Sequence, residues 1–280
     1  MKKFLTVILT ITMVLGYLNL TAFAGTGTKT ENVYVTIANK GELVVTCEQI
    51  TVTDKDNSGD FTIDEVLYAA HEAKYTGGAA AGYNSYIGDY GLSLGKLWGD
   101  NSGNFGYYVN NASAWSLADN VQEGDYVNAF VYSDGVTWSD TYCWFDVTTT
   151  TAEQGKEISL TLSGAGYDAS WNPVTVAVEG VNITLNGVKT EYKTDAEGKV
   201  KFTVPSAGNY TISAVLDTMI LVPPVCKATI TPSAQAKPEI TSPKTGEDIN
   251  LGLLLFVVIM SAGLLAVLFV TRKKPYEKQF

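Results

Sequence analysis

One amphipathic segment, IDEVLYAAHEAKY at residues 63–75, interrupts a sequence that otherwise contains many short β-forming runs. Its apolar residues Ile63, Val66 and Leu67 follow the three- and four-residue spacing of a helix, which gives the segment one apolar face. His71 falls near the polar face, where we expect it to be solvated. A helix among strands predicts an α+β arrangement for this part of the chain.

Alternating polar and apolar residues predict strands on both sides of this helix. The runs 33–37 and 43–47 flank turn-forming residues at 39–41, which is typical of a hairpin. Further strands are expected at 105–109, 126–132 and 142–147. A polar, threonine-rich run at 148–154 then marks the end of an α+β domain, which we assign to residues 25–150.

Beyond residue 150 the β-forming runs continue at regular spacing, without a helical pattern. They occur at 157–162, 174–178, 181–185, 200–204 and 210–215. Asn186-Gly187 and Glu197-Gly198 are predicted turns. The strings ITLNG at 183–187 and TDAEGKVKF at 194–202 resemble bacterial immunoglobulin-like or transthyretin-like surface modules. The resemblance implies an all-β, Ig-like sandwich over residues 151–231 that acts as a stalk.

Residues 1–24 have the three parts of a secretory signal peptide. Two lysines follow the first methionine, an apolar stretch covers 4–18, and Ala22-Phe23-Ala24 supplies the small residues of a cleavage site. The mature chain is therefore expected to begin near Gly25, outside the cell. A permanent N-terminal membrane anchor is the alternative, although the apolar stretch is short for a span.

The C-terminal region contains 20 consecutive uncharged residues, 251–270. As a helix they would extend about 30 Å, the thickness of the hydrocarbon core of a bilayer. We predict a transmembrane helix over 247–271 and a cytoplasmic tail over 272–280, because basic residues beside a span tend to stay in the cytoplasm. Both ends of the chain therefore place residues 25–245 outside the cell.

A short motif, SPKTG at residues 242–246, precedes the predicted span. With the span and the basic tail it resembles the cell-wall sorting signal of Gram-positive surface proteins, although Ser242 replaces the usual leucine. The resemblance implies that sortase cuts between Thr245 and Gly246 and joins Thr245 to peptidoglycan. An extended, proline-containing linker over 232–246 would expose this site. The chain would then sit in the plasma membrane only before processing; a permanent membrane protein with an accidental motif is the alternative.

An acidic dodecapeptide, DKDNSGDFTIDE at residues 54–65, overlaps the start of the helix. It matches the spacing of an EF-hand loop, in which oxygen donors surround a hard cation, a glycine at position six makes a sharp turn, and a glutamate closes the loop. The sequence therefore predicts a Ca²⁺ site. Its candidate ligands are Asp54, Asp56, Ser58, Asp60 through its backbone carbonyl, Thr62 directly or through water, and Glu65.

A purely structural interpretation of this loop is also open. Thr62 and Glu65 form the capping-box pattern for the helix, and acidic turns of this composition are common. A strand over 48–53 replaces the entering helix of an EF-hand, and no second loop follows, so the segment is similar to a lone strand-loop-helix relative. Lys55 is expected to point away from the ion. We expect a structural ion bound with a Kd of about 10⁻⁴ to 10⁻³ M.

Aromatic residues are concentrated after the helix. The strings KLWGD at 96–100, FGYYVNN at 105–111 and VQEGDYV at 121–127 resemble the β-grasp-like C-terminal domain of transcobalamin-type proteins. The resemblance implies a small ligand-binding or interaction scaffold. The aromatic residues form either an exposed platform that stacks on sugars or proteins, or part of the core. They are Trp98, Tyr107, Tyr108, Trp115, Tyr132, Trp138 and Trp144.

The three cysteines are too few for a disulfide framework. Cys47 and Cys143 lie in the first and last predicted strand regions of the α+β domain, and they are candidates for a disulfide in the oxidising exterior. Cys226 then has no partner. A Lys–Asn isopeptide crosslink, known in related surface modules, would need a buried Lys, Asn and carboxylate that the sequence does not locate.

Charge and residue types restrict the function. A formal net charge of −10 disfavours nucleic acid as a partner. His71 is the single histidine, and no nucleophile or acid–base pair with a rationale is evident, so we predict that the protein is not an enzyme. The expected function is a wall-anchored, calcium-binding surface protein whose outer domain contacts a host, glycan or small-molecule ligand. A surface binder of a corrinoid or similar nutrient and a ligand-free structural spacer are the alternatives.

Overall fold

The computed structural model describes residues 29–89 and 91–233, and this part of the chain consists mostly of β-strands. The predicted signal peptide, the sorting motif with Thr245 and Gly246, and the predicted C-terminal span lie outside the described residues. Neither of the two helices in the described ranges is long and apolar enough to cross a bilayer.

The elements are numbered in chain order. The first half contains β1 (Thr30–Asn39), β2 (Glu42–Thr53), β3 (Phe61–Thr62), α1 (Ile63–Lys74), α2 (Gly78–Gly82), β4 (Asn84–Gly88), β5 (Gly91–Lys96), β6 (Phe105–Val109), β7 (Ala112–Ser113), β8 (Asn120–Val121) and β9 (Tyr126–Val131). The second half contains β10 (Thr141–Phe145), β11 (Thr149–Glu153), β12 (Glu157–Tyr167), β13 (Pro173–Ala177), β14 (Asn182–Leu185), β15 (Val188–Lys193), β16 (Lys199–Thr203), β17 (Gly208–Val215), β18 (Leu221–Val222) and β19 (Cys226–Thr231).

In the first half, α1 packs against a five-stranded sheet of order β2-β1-β9-β6-β7. β1 pairs antiparallel with β2 and parallel with β9. Ile63, Val66 and Leu67 are fully buried in the same core as Val33 and Val35 of β1. Burying a side chain of this kind stabilises the fold by about 1.5–3 kcal/mol. The helical spacing therefore predicts both the helix and its buried face.

The hairpin between β1 and β2 forms where the sequence predicts it. Lys40 and Gly41 have φ angles of 50° and 83°, the positive values that a two-residue turn needs to follow the twist of the strands. Asn39 pairs with Glu42 directly across the turn. The same hairpin end forms one wall of a cleft.

The second half is a β-sandwich. One sheet has the order β13-β12-β10-β18, with β16 also paired to β12, and the other has the order β11-β19-β17-β14-β15. Their inner faces share one apolar core, which includes Leu162, Phe202 and Ile212. The predicted turn at Asn186-Gly187 joins β14 to β15, with positive φ at both residues. The regular strand spacing of the sequence therefore corresponds to two packed sheets.

Two strands, β10 and β11, have positions in the fold that the sequence did not predict. Strand β10, expected to be the last strand of the α+β domain, pairs with β12 and β18 in the sandwich. The polar run 148–154, expected to be a boundary, contains β11, which pairs parallel with β19. All three pairings join strands that are not consecutive in the chain, so local composition does not indicate them.

A third apolar cluster connects the two halves. It contains Phe130 and Tyr142, and the ring of Tyr108 stacks on that of Tyr142 with centroids 3.7 Å apart. Lys227 Nζ donates to Thr46 Oγ1 at 2.7 Å across the same junction. The described residues therefore belong to one compact unit.

The three cysteines are free thiols. Cys143 and Cys226 are buried in the sandwich core, whereas Cys47 is partly exposed on β2. Burial raises the pKa of the Cys226 thiol to about 12. The Cys47–Cys143 disulfide that the sequence suggests is not formed in this structure.

Candidate metal centre

The acidic loop 54–65 lies between the end of β2 and the start of α1. Pairing of β3 with β8 fixes the end of the loop. Thr62 caps the helix: its Oγ1 accepts the Glu65 N–H at 3.4 Å, and the Glu65 carboxylate accepts the Thr62 N–H at 3.1 Å. The capping box that the sequence predicts is therefore present.

Asp54 is the most buried carboxylate of this loop, with 4% of its surface exposed. Its Oδ2 accepts the backbone N–H of Gly59 at 3.0 Å. Its Oδ1 is buried and accepts no hydrogen bond from any described residue. A buried carboxylate oxygen without a partner costs free energy, because it has lost its hydration and gained nothing in exchange.

Glu65 joins the two ends of the loop from the first turn of α1. Its Oε1 accepts the Lys55 N–H at 2.8 Å, and its Oε2 accepts the Thr62 N–H and lies 3.2 Å from the Thr62 hydroxyl. The start of a helix also favours negative charge. The helix cap and the loop closure therefore depend on the same carboxylate.

The middle of the loop is shaped by its own hydrogen bonds. Asp56 Oδ1 accepts the Ser58 N–H at 2.9 Å, and this bond lowers the pKa of the Asp56 carboxyl. The Ser58 hydroxyl donates to the Asp60 carbonyl at 3.2 Å. Gly59 has a φ of 92°, which glycine adopts without steric cost. The Ser58 and Asp60 oxygens assigned to the ion are therefore engaged with each other.

Three of the predicted ligands come together. One carboxylate oxygen from each of Asp54, Asp56 and Glu65 lies within 4.8 Å of the others. The donors are all oxygens, which suits a hard divalent cation. Carboxylates this close also repel one another. The unpartnered Asp54 Oδ1 and the all-oxygen donor set both suit a hard cation.

Two lysines lie beside the loop without entering the carboxylate cluster. Lys29 Nζ donates to the Gly59 carbonyl at 3.1 Å. Lys55 Nζ lies 3.0 Å from the centre of the Tyr68 ring, a cation–π contact. Lys55 therefore points away from the cluster, as the loop spacing predicts.

His71 is fully buried, so the solvated position expected from the sequence is wrong. Its Nδ1 lies 2.7 Å from the Leu67 carbonyl, and its Nε2 accepts the Trp98 backbone N–H at 3.0 Å. The ring also packs against Tyr83. Burial lowers the pKa of His71, which keeps the imidazole neutral. Trp98 lies 27 residues away in the chain, which is why helical spacing alone did not reveal this role.

The candidate platform residues are divided between the core and the surface. Those partly buried against apolar clusters are Trp98, Tyr107, Tyr108, Tyr132 and Trp144. Trp115 and Trp138 are exposed, by 92% and 60%. Tyr167 and Trp171 are also exposed, at the β12–β13 hairpin, and the sequence pattern did not single them out. Their position beside the predicted strand at 174–178 was the available signal.

No protein-family model matches this chain, and no curated protein matches it. Solved structures with a detectable likeness include immunoglobulin domains and fibronectin(III)-like modules. The fibronectin(III)-like modules of CbhA from Clostridium thermocellum are 11% identical, with 73% of this chain and 95% of that chain covered and a TM-score of 0.25.

Two further structures contain four immunoglobulin domains each. The N-terminal domains of Dscam1 isoform 6.9 are 11% identical over 54% of this chain and 32% of that chain, with a TM-score of 0.20. Sidekick-1 domains 1–4 are 12% identical over 73% of this chain and 52% of that chain, with a TM-score of 0.21. This chain therefore spans about half or less of each, and at these TM-scores the likeness says nothing about function.

Proposed function

We propose that the protein is a cell-surface protein that binds a calcium ion through residues 54–65 and presents a ligand-binding or adhesive domain. The buried Oδ1 of Asp54, which lacks a partner among the described residues, is the observation that carries the calcium proposal. A cation between Asp54, Asp56 and Glu65 would supply that partner and offset the repulsion among the three carboxylates.

Calcium suits this loop better than other divalent ions do. Zinc prefers histidine and cysteine ligands, and the carboxylate cluster contains neither. Magnesium requires near-ideal octahedral geometry, whereas calcium accepts six to eight oxygens in a flexible arrangement. The Ser58 hydroxyl, the Asp60 carbonyl and Thr62 are within the same loop and would complete the set if their mutual hydrogen bonds rearranged.

The ion would have a structural role. It would fasten the end of β2 to the start of α1, the helix that covers the first sheet. Glu65 already joins these two points by hydrogen bonds to Lys55 and Thr62. A weak extracellular site is sufficient for this purpose, because its ion stabilises a fold and does not report a signal.

We infer that sortase attaches the chain to peptidoglycan through Thr245, after cleavage before Gly246. The order of the SPKTG motif, the uncharged stretch 251–270 and the basic tail supports this attachment. The acidic loop and the sandwich would then lie outside the membrane. The location can be tested by asking whether muramidase releases the protein from cells while detergent alone does not.

Calorimetric titration of the full chain with CaCl₂ tests the metal site. We expect one ion to bind, and we expect Asp54→Asn to abolish the binding heat because it removes the buried charge. Asp89→Asn, which removes an exposed carboxylate of the β4–β5 turn, is the matched control and should bind as the wild type does. Equal binding by wild type and Asp54→Asn would refute the metal site.

A further inference from the structure

A large cleft lies where the β1–β2 hairpin approaches the sandwich. Its volume is about 1190 Å³, somewhat above the range of about 300–1000 Å³ that is usual for small-molecule sites. The hairpin residues Gly41, Leu43 and Thr46 form one side. Strands of the sandwich and the segment 216–221 supply most of the remaining lining. None of these residues belongs to the acidic loop.

The floor of the cleft is the outer face of β14 and β17. Ile183 and Ala214 belong to the sandwich core, so their neighbours Thr184 and Ser213 face the other way, into the cleft. The two residues are paired directly across the strands. They therefore place two hydroxyl groups side by side on the cleft floor.

These two hydroxyl groups are available to a ligand. Thr184 and Ser213 are only 8% and 6% exposed. Within the described ranges, neither side chain makes a hydrogen bond, although nearly every other buried polar side chain does. Neither oxygen is among the buried polar atoms that lack a partner in the described residues, so both hydroxyl groups reach the solvent of the cleft, where they can donate to and accept from a bound group. A ligand with its own hydroxyl or amide groups would satisfy both.

The remaining lining residues indicate the charge and polarity of the ligand. Lys189 Nζ and the Asp217 carboxylate form an ion pair at 2.7 Å, so their charges neutralise each other at the edge of the floor. The segment 216–221 contributes three large apolar lining residues, Leu216, Met219 and Ile220, together with Asp217 and Thr218. The cleft therefore combines a hydroxyl-bearing floor, an apolar wall and no unpaired cation among its described lining residues.

We propose that this cleft binds a neutral carbohydrate of two to four sugar units. A sugar ring has hydroxyl groups around its edge, which match Thr184 and Ser213, and apolar C–H faces, which match the wall formed by the 216–221 segment. An anionic ligand would have to compete with Asp217 for Lys189, the one cationic side chain among the described lining residues, and the one lining charge without an ion pair is the exposed carboxylate of Glu42. This proposal rests on the proposed function in one respect, namely that the protein presents a ligand-binding domain, and it specifies where the ligand binds. It does not depend on the calcium site.

The test is a binding assay of the full chain on an array of neutral mono- to tetrasaccharides, in the presence of calcium. We expect retention of at least one neutral oligosaccharide. The double variant Thr184→Val/Ser213→Ala removes both hydroxyl groups from strands that tolerate these residues, and it should weaken that binding at least tenfold. Thr229→Val, on the same sheet but outside the cleft, is the matched control and should change binding less than twofold.

A second variant keeps the test decisive if the double variant folds poorly. Ile220→Ser alters an exposed residue of the apolar wall, and we expect it to weaken binding at least fivefold with an unchanged circular dichroism spectrum. Failure to retain any neutral saccharide, retention of charged glycans only, or binding unaffected by the cleft variants would each overturn the proposal. Calcium titration of the same samples separates this failure from failure of the metal site.

Discussion

Two acidic loops of this molecule look alike in composition and differ in how they satisfy their carboxylates. In the loop 133–140, Asp134 accepts five hydrogen bonds, from Val136, Thr137 and Ser139. In the loop 54–65, Asp54 Oδ1 accepts none from the described residues. In the first loop the described residues satisfy the Asp134 carboxylate, whereas the second loop leaves a buried carboxylate oxygen of Asp54 without a partner among the described residues. The hydrogen bonds, and not the number of acidic residues, distinguish a turn from a candidate metal site.

The largest expected effect is the response of each loop to calcium. At a calcium concentration 100 times the Kd, binding should stabilise the wild type by about 2.7 kcal/mol. Asp54→Asn should abolish this gain, while Asp134→Asn should retain it in full. Thermal unfolding with and without calcium measures both variants. An equal loss of the calcium response in Asp134→Asn would remove the distinction between the loops.

The helix that follows the acidic loop 54–65 also makes a pH-dependent contribution to stability. Because burial lowers the pKa of His71 in the folded chain, the unfolded chain binds more protons below its ordinary pKa of about 6.5. Stability from this residue should be complete above that pH and should be lost progressively as the pH falls below it. His71→Gln should reduce stability at pH 7 by about 2 kcal/mol and flatten the dependence between pH 5 and 7.

Urea unfolding at a series of pH values measures this effect. The calcium-free protein should be used, so that protonation of the loop carboxylates does not release an ion at the same time. An identical pH slope in the wild type and in His71→Gln would show that the buried imidazole does not contribute.

A smaller and purely local effect is expected for the loop 133–140, in which hydrogen bonds within the loop satisfy the Asp134 carboxylate. The hydrogen bonds from Thr137 and Ser139 hold the pKa of Asp134 well below its ordinary value. Its stabilisation is present above the ordinary pKa of about 3.9 and is lost only as the pH falls through the lowered value. Asp134→Ala should therefore increase protease cleavage within 133–140 at neutral pH, with or without calcium. If calcium suppressed cleavage in this variant, the claim that the loop 133–140 is held by its own hydrogen bonds without an ion would be contradicted.

The smallest expected effect concerns the lysine beside the acidic loop 54–65. Lys29 donates to the Gly59 carbonyl from an exposed position. Removing its charge with Lys29→Ala should strengthen calcium binding by about twofold or less, because solvent and salt screen exposed charges. Calorimetry against the wild type measures the change, and a loss of binding would make Lys29 a structural part of the site.

Local sequence patterns predicted much of the fold because they depend on neighbours in the chain. The helix over 63–74 follows from apolar spacing and its Thr62–Glu65 cap, and the turns at 40–41 and 186–187 follow from residues that accept positive φ. The short helix over 78–82 went unpredicted, because its glycine and alanine sequence has little periodicity. The strand over 149–153 depends on pairing with β19, and a polar composition conceals it.

The sequence predicted which residues form the candidate site, but it did not predict their burial or their hydrogen bonds. The spacing of Asp54, Asp56 and Glu65 indicates which carboxylates meet, since one short loop holds all three. Burial of Asp54 and the missing partner of its Oδ1 depend on packing that only the structure provides. The cleft likewise requires two sandwich strands and a hairpin from distant parts of the chain.

The most direct test of the metal site is a crystal structure of the protein grown in calcium, with the anomalous signal of the ion recorded. We expect a peak about 2.3–2.6 Å from Asp54 Oδ1, shared with Asp56 and Glu65. A water molecule bonded to Asp54 Oδ1, with no anomalous peak in the loop, would contradict the proposed calcium site.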